Sequence, residues 1–134
     1  MALSVALFLC ERYYRTLTNT HEGQRDDKAF KVEAAKDLGL KEKDFEHFWM
    51  VYRNGIQHQG MPKRYVDKGN KVTYKWSIDE GFSATPEIHK IDAQTQEIRL
   101  NPWKFAELMI NKFRANPSIL ENATLHAFGE VFDS

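Results

Sequence analysis

The residues best equipped for chemistry stand together in Tyr52-Arg53-Asn54-Gly55-Ile56-Gln57-His58-Gln59-Gly60. Arginine offers a planar, permanently charged fork that grips phosphate oxygens. Asparagine adds a hydrogen-bonding amide, and histidine gives or takes a proton near neutral pH. Arg53, Asn54 and His58 are therefore candidates for phosphodiester chemistry without a metal, in which an RNA 2′-hydroxyl attacks the adjacent phosphorus. His58 would serve as base or acid. Arg53 would stabilise the charge growing on the nonbridging oxygens, and Asn54 would bond the phosphate or orient the imidazole. On an unbroken helix Arg53 and His58 lie about 140° apart, a poor angle for convergence. A break at Gly55, or a second His58 from a dimer partner, would relieve that. The plainer reading of the same residues is a helix C-cap, with an arginine near the negative helix end and a surface or interface histidine.

A packed helix must deliver this cluster. Phe45, Phe48, Trp49 and Tyr52 make the apolar stripe of a helix starting near Lys41 to Asp44. It is expected to fray at Asn54-Gly55, since both residues tolerate positive φ. Two helices precede it. The first covers residues 3–18, with Val5, Leu9, Tyr13 and Leu17 at four-residue steps. The second, capped by Asp26 or Asp27, runs to about Leu38 and ends at Gly39. Downstream, Val72, Tyr74, Trp76 and Ile78 alternate with polar residues as a half-buried strand. Ile88 to Ile91 and Glu97 to Leu100 flank a polar turn as a hairpin. Asn101-Pro102 reads as an N-cap followed by proline at the first helical position. The helix it opens carries Trp103, Ala106, Met109, Ile110 and Phe113 and stops before Pro117. A short last helix is expected within Ser118 to Phe132. Trp49 and Trp103, on apolar stripes, are expected in the core.

A second group follows the first. Lys63 and Arg64 open a basic run with Lys68, Lys71 and Lys75, interleaved with Tyr65, Tyr74 and Trp76. Such a run can track a phosphate backbone while rings stack on bases. More often such a run is the solvated face of a loop and hairpin. Lys63 and Arg64 are the candidate substrate-binding residues.

At 134 residues the chain is expected to form one domain over 1–134. Nineteen basic and nineteen acidic residues cancel, so any contact with RNA must come from a local patch or a dimer groove rather than a polybasic coat. The single cysteine, Cys10, lies in an apolar run and suits a reducing, cytoplasmic setting. Ala2 to Cys10 lacks a basic leader and is far shorter than the roughly 20 residues of a membrane span. His47 beside Glu46 has no second histidine at metal-binding spacing, and no glycine-rich phosphate loop is present. Neither a metal nor a cofactor is expected.

Arg53-Asn54 followed by His58 resembles the signature of the HEPN superfamily (higher eukaryotes and prokaryotes nucleotide-binding domains). Gln59-Gly60-Met61-Pro62 looks like stand-alone bacterial members. The resemblance is sharp over about residues 45–62 and architectural elsewhere. The elements read as helices, a small antiparallel β insertion at about 71 to 100, then helices, a mainly α chain. The resemblance implies a HEPN-like helical bundle to which that stretch does not belong. It also implies a homodimer whose two motifs line one cleft, and a metal-independent endoribonuclease with toxin- or defence-like biology that leaves 2′,3′-cyclic phosphate ends. The alternative it carries is a non-catalytic interaction module that dimerises or docks an antitoxin or nucleotidyltransferase-type partner.

Overall fold

The computed structural model describes residues 2–19, 27–119 and 121. Its helices are α1 (Ala2–Leu17), α2 (Asp27–Asp37), α3 (Glu42–Phe48), α4 (Asn54–Gln59) and α5 (Pro102–Ala115). A π-helical turn, Trp49–Arg53, joins α3 to α4 without a break. The strands are β1 (Tyr65–Val66), β2 (Thr73–Ile78), β3 (Glu87–Asp92) and β4 (Thr95–Leu100).

α1 and α5 pack together, and α2 lies against both α1 and α3. The buried face of α1 is Ala6, Leu7, Cys10, Tyr13 and Tyr14, whereas Val5 and Leu17 are exposed. The four-residue stripe therefore misplaces this face. Each step of four overshoots one turn by roughly 40°, so Val5 and Leu17 drift to opposite margins of the packed surface. Polar ties close the helical layer. The Tyr14 hydroxyl donates to Asp37 at 2.6 Å, Lys112 of α5 meets the same carboxylate at 2.8 Å, and Asn116 donates to the Tyr13 hydroxyl at 2.9 Å. α2 ends as its sequence suggests. Gly39 takes φ +73°, and the Leu40 N–H reaches back to the Ala35 carbonyl at 2.8 Å.

The fold is mixed α/β, which corrects the mainly α expectation. The four strands form one sheet in the order β1-β2-β4-β3. β3 and β4 make the anticipated hairpin, but β4 then pairs in parallel with β2, in the register Trp76 to Ile98 and Ile78 to Leu100. That pairing makes β4 a central strand. Its Ile98 and Leu100 are fully buried and join Tyr74 of β2 in the same core as the helix residues Phe48, Tyr52 and Phe105. The sheet is thus a wall of the core rather than an appended insertion. A tyrosine pins helix to sheet. The Tyr52 hydroxyl donates to the Ile98 carbonyl at 2.5 Å and accepts from the Ser77 N–H at 3.2 Å, bridging β4 and β2. Burial pushes this hydroxyl's ionisation well above its ordinary value, so it stays protonated.

Asn101 caps α5 as expected, its side-chain oxygen accepting from the Lys104 N–H at 3.0 Å. Trp49 is buried, but Trp103 is 54% exposed, on the outer side of α5 opposite Phe105 and Met109. Most of the last helix expected within Ser118 to Phe132, and Asp26, lie outside the described residues. No described helix is long and apolar enough to cross a membrane.

Candidate nucleic-acid interface

The helical run from Glu42 to Gln59 supplies most of the predicted site. It does not fray at Asn54-Gly55: both residues are helical, and the run ends at Gly60 with φ +78°. The irregularity lies upstream, where the Asn54 N–H bonds the Trp49 carbonyl across the π turn. Two backbone groups then meet over Gly55. The Val51 carbonyl accepts from the Lys63 N–H at 2.9 Å. A Cβ on Gly55 would lie 2.5 Å from the Lys63 nitrogen and 2.7 Å from the Met61 carbonyl oxygen. Glycine stands here because another stretch of backbone crosses the helix, and that crossing sets Lys63 and Arg64 beside the helix end.

Because the helix is unbroken, Arg53 and His58 diverge. Met50, Asn54 and His58, at four-residue steps, share one face and line a cleft of about 310 Å³ with Lys63, Arg64 and Tyr65. His58, Lys63 and Arg64 are exposed. The Asn54 amide nitrogen lies 3.1 Å from the Met50 sulfur. Among the described residues no acidic side chain lines this cleft or pairs with Lys63 or Arg64. Around the corner, Lys63 and Arg64 also border a second hollow with Lys75 and Trp76. Trp76 is expected in the core from its strand alternation, yet it is 36% exposed at this rim.

Arg53 faces elsewhere. It lines a separate depression with Glu11, Phe8, Ile56 and Gln57. Its guanidinium meets both oxygens of Glu11 at 3.3 Å, bonds Gln57, contacts the Asn54 side-chain oxygen at 3.4 Å and leans over the Trp49 ring at 6.0 Å. Glu11 also takes the Arg15 Nε at 2.7 Å. The Glu11 and Arg53 side chains are only 9% and 19% exposed. One carboxylate thus holds two guanidinium groups in a largely buried ion cluster, an arrangement whose charges must stay paired. Within one chain the structure brings Asn54, His58, Lys63 and Arg64 together and does not bring Arg53 and His58 together.

Two partners here escape sequence reasoning. Glu11 sits 42 residues before Arg53, at the end of an apolar run. Its only local signal is Arg15 one helical turn on, in a stretch where Cys10 and Tyr14 are buried. His47 pairs through Nε2 with Asp67 at 2.8 Å and stacks on Tyr74 with 3.8 Å between centroids. The hydrogen bond from His47, with those from the Gly69 and Asn70 N–H groups, holds the Asp67 carboxyl below its ordinary range. Nothing in the residues around His47 points to Asp67, twenty positions away.

No protein-family model, curated protein or solved structure matches the chain.

Proposed function

We propose that the chain is an RNA-binding protein whose cleft of Asn54, His58, Lys63 and Arg64 holds the phosphate backbone. The observation that carries this reading is a cleft with three exposed basic side chains and no acid among the described residues lining it, in a chain with no net charge. Lys63 and Arg64 stand beside His58 at the backbone crossing over Gly55, and neither pairs with an acid among the described residues. Trp76 and Tyr65, at the two ends of the Lys63-Arg64 pair, offer rings for stacking, the usual companion of a cationic groove that receives single strands.

Cleavage by one protomer does not follow from this geometry. The charge-stabilising role expected of Arg53 is blocked by Glu11, which occupies its guanidinium. His58 with Lys63 and Arg64 retains a proton carrier and two cations, so the catalytic version keeps a specific form in which Arg64 takes the place of Arg53. An RNA digest in EDTA, wild type against His58→Ala with the ends analysed, checks that form. Cyclic phosphate ends from the wild type alone would establish it.

The binding reading is tested by fluorescence anisotropy with a labelled single-stranded RNA across a salt series. The double variant Lys63→Ala/Arg64→Ala should bind more than about tenfold more weakly. Its log–log salt slope should be shallower by about 1.4, roughly 0.7 for each single-strand phosphate that the variant no longer neutralises. Unchanged affinity and slope would remove the cleft from RNA binding.

A further inference from the structure

Beyond Met50 and Tyr65, which it shares with the cleft, lies a depression of about 250 Å³ lined by Lys31 of α2, Lys43, Glu46 and His47 of α3, and Asp67. It falls just below the ~300–1,000 Å³ of pockets that take drug-sized ligands, a size suited to a single flat ring system. Its chemistry differs from that of the cleft, for it mixes donors with acceptors. A phosphate entering it would meet the like charges of Glu46 and Asp67. A nucleobase would not.

Met50, Tyr65 and His47 line the depression together, the His47 and Tyr65 ring centroids 6.4 Å apart. His47 is 6% exposed, and its Nδ1 is buried with no hydrogen-bond partner among the described residues. Asp67 is already engaged. Its Oδ2 meets His47 Nε2, and its Oδ1 accepts from the Gly69 N–H at 2.7 Å. The pair ties the turn after β1 to α3 and so holds two sides of the pocket in place. That leaves Glu46 as the carboxylate able to accept from a ligand. It is exposed, and no hydrogen bond or ion pair engages it among the described residues. Lys43 and Glu46, both exposed, stand three residues apart on α3, a spacing that makes an ammonium and a carboxylate neighbours on one helix face.

Guanine presents O6, an acceptor, next to N1–H and the N2 amino group, two neighbouring donors. An ammonium beside a two-oxygen carboxylate matches that edge. Uracil shows one N–H between two acceptors, and adenine and cytosine each show one amino group beside an acceptor nitrogen. We infer that this depression is a base pocket, selective for guanine, serving the RNA strand whose phosphates occupy the His58–Lys63–Arg64 cleft. The inference rests on RNA binding at that cleft. Lys43 faces O6, the Glu46 carboxylate accepts from N1–H and N2–H, and Tyr65 lies along the ring.

The test uses short oligouridine strands carrying one central guanosine, adenosine, cytidine or uridine. Each is titrated by anisotropy into wild type, Glu46→Gln and Arg64→Ala. Wild type should bind the guanosine strand about tenfold more tightly than the all-uridine strand, the scale of one bidentate base contact. Glu46→Gln should bring that ratio to within about twofold through loss of affinity for the guanosine strand. Arg64→Ala should weaken all four strands alike. Equal, salt-dependent binding of all four strands by wild type would overturn the base pocket and leave the cleft standing. A guanosine preference that survives Glu46→Gln would also overturn it, by placing the base elsewhere. No binding of any strand would overturn the RNA reading and this inference with it.

Discussion

Arg53 and Arg64 lie eleven positions apart near the same helix end, yet they live in opposite conditions. Arg53 is tucked against α1, where Glu11 and Gln57 take up its fork and Trp49 lies under it. Arg64 projects into solvent beside His58, with no acid among the described residues across from it. The first arginine belongs to the packing of α1 on the π turn, and the second is free to meet an anion. Residue type and spacing select both as phosphate ligands, and only the carboxylate 42 residues upstream of Arg53 separates them. A cation's availability is thus decided by its counter-charge, whose position a short motif does not contain.

The sharpest way to break this contrast is to disturb the hinge between the two faces. Gly55→Ala forces a methyl into the backbone of Met61 to Lys63. Overpacking of this kind should cost about 3 kcal/mol. Denaturant unfolding would show the destabilisation, and RNA affinity should fall with it because Lys63 and Arg64 shift. Full stability in the alanine variant would mean that the crossing is looser than the geometry indicates.

A smaller effect falls on the buried face alone. Arg53→Ala leaves Glu11 paired with Arg15. Removing one cation of a largely buried cluster should cost about 2 kcal/mol, below the full penalty for an orphaned charge because Arg15 stays. Chemical denaturation measures it, and a change under about 0.5 kcal/mol would place Arg53 among ordinary surface residues.

The smallest effect falls on the contact of α1 with α2 and α5 and serves as a control. Burial raises the Asp37 carboxyl, but the hydrogen bonds from Lys112 and Tyr14 outweigh it, so the folded value lies below the ordinary 3.8. A carboxyl depressed on folding adds stability that is present above its unfolded value and is lost as pH falls through its folded value. Below pH 3.8, therefore, wild type should lose stability more steeply than Asp37→Asn. With the Asp37 side chain 37% exposed, the difference should stay under about 1 kcal/mol. Parallel pH profiles for the two proteins would show that the Tyr14–Asp37–Lys112 knot contributes nothing through its charge.

The features legible in the chain are those written in neighbouring residues. Gly39 ends α2, Asn101 and Pro102 open α5, and the polar turn between Ile91 and Glu97 closes a hairpin. Each depends on a few adjacent side chains and dihedrals. The features that escape join distant residues. β2 finds its parallel partner β4 more than twenty positions away, across β3, and no local periodicity distinguishes that pairing from a free-standing hairpin. Gly55 shows the same limit in another form. A glycine after asparagine suggests a helix break, but the residue is required by a backbone that arrives from Lys63. For the site, residue type selects Asn54, His58, Lys63 and Arg64, and the structure gathers them in one cleft. Type selects Arg53 with equal reason, and Glu11 holds it elsewhere. Alternation and stripe point Trp76 and Trp103 inward, and both emerge at the surface because the packed faces of β2 and α5 are narrower than their apolar patterns.

The contrast between the two arginines is best tested by one titration of single-stranded RNA into wild type, Arg53→Ala and Arg64→Ala, with folding of each verified by circular dichroism. Arg64→Ala should weaken binding about tenfold and flatten the salt slope by about 0.7, while Arg53→Ala should stay within about twofold of wild type. The reverse pattern, with Arg53→Ala abolishing RNA binding and Arg64→Ala leaving it intact, would contradict the assignment of the cleft.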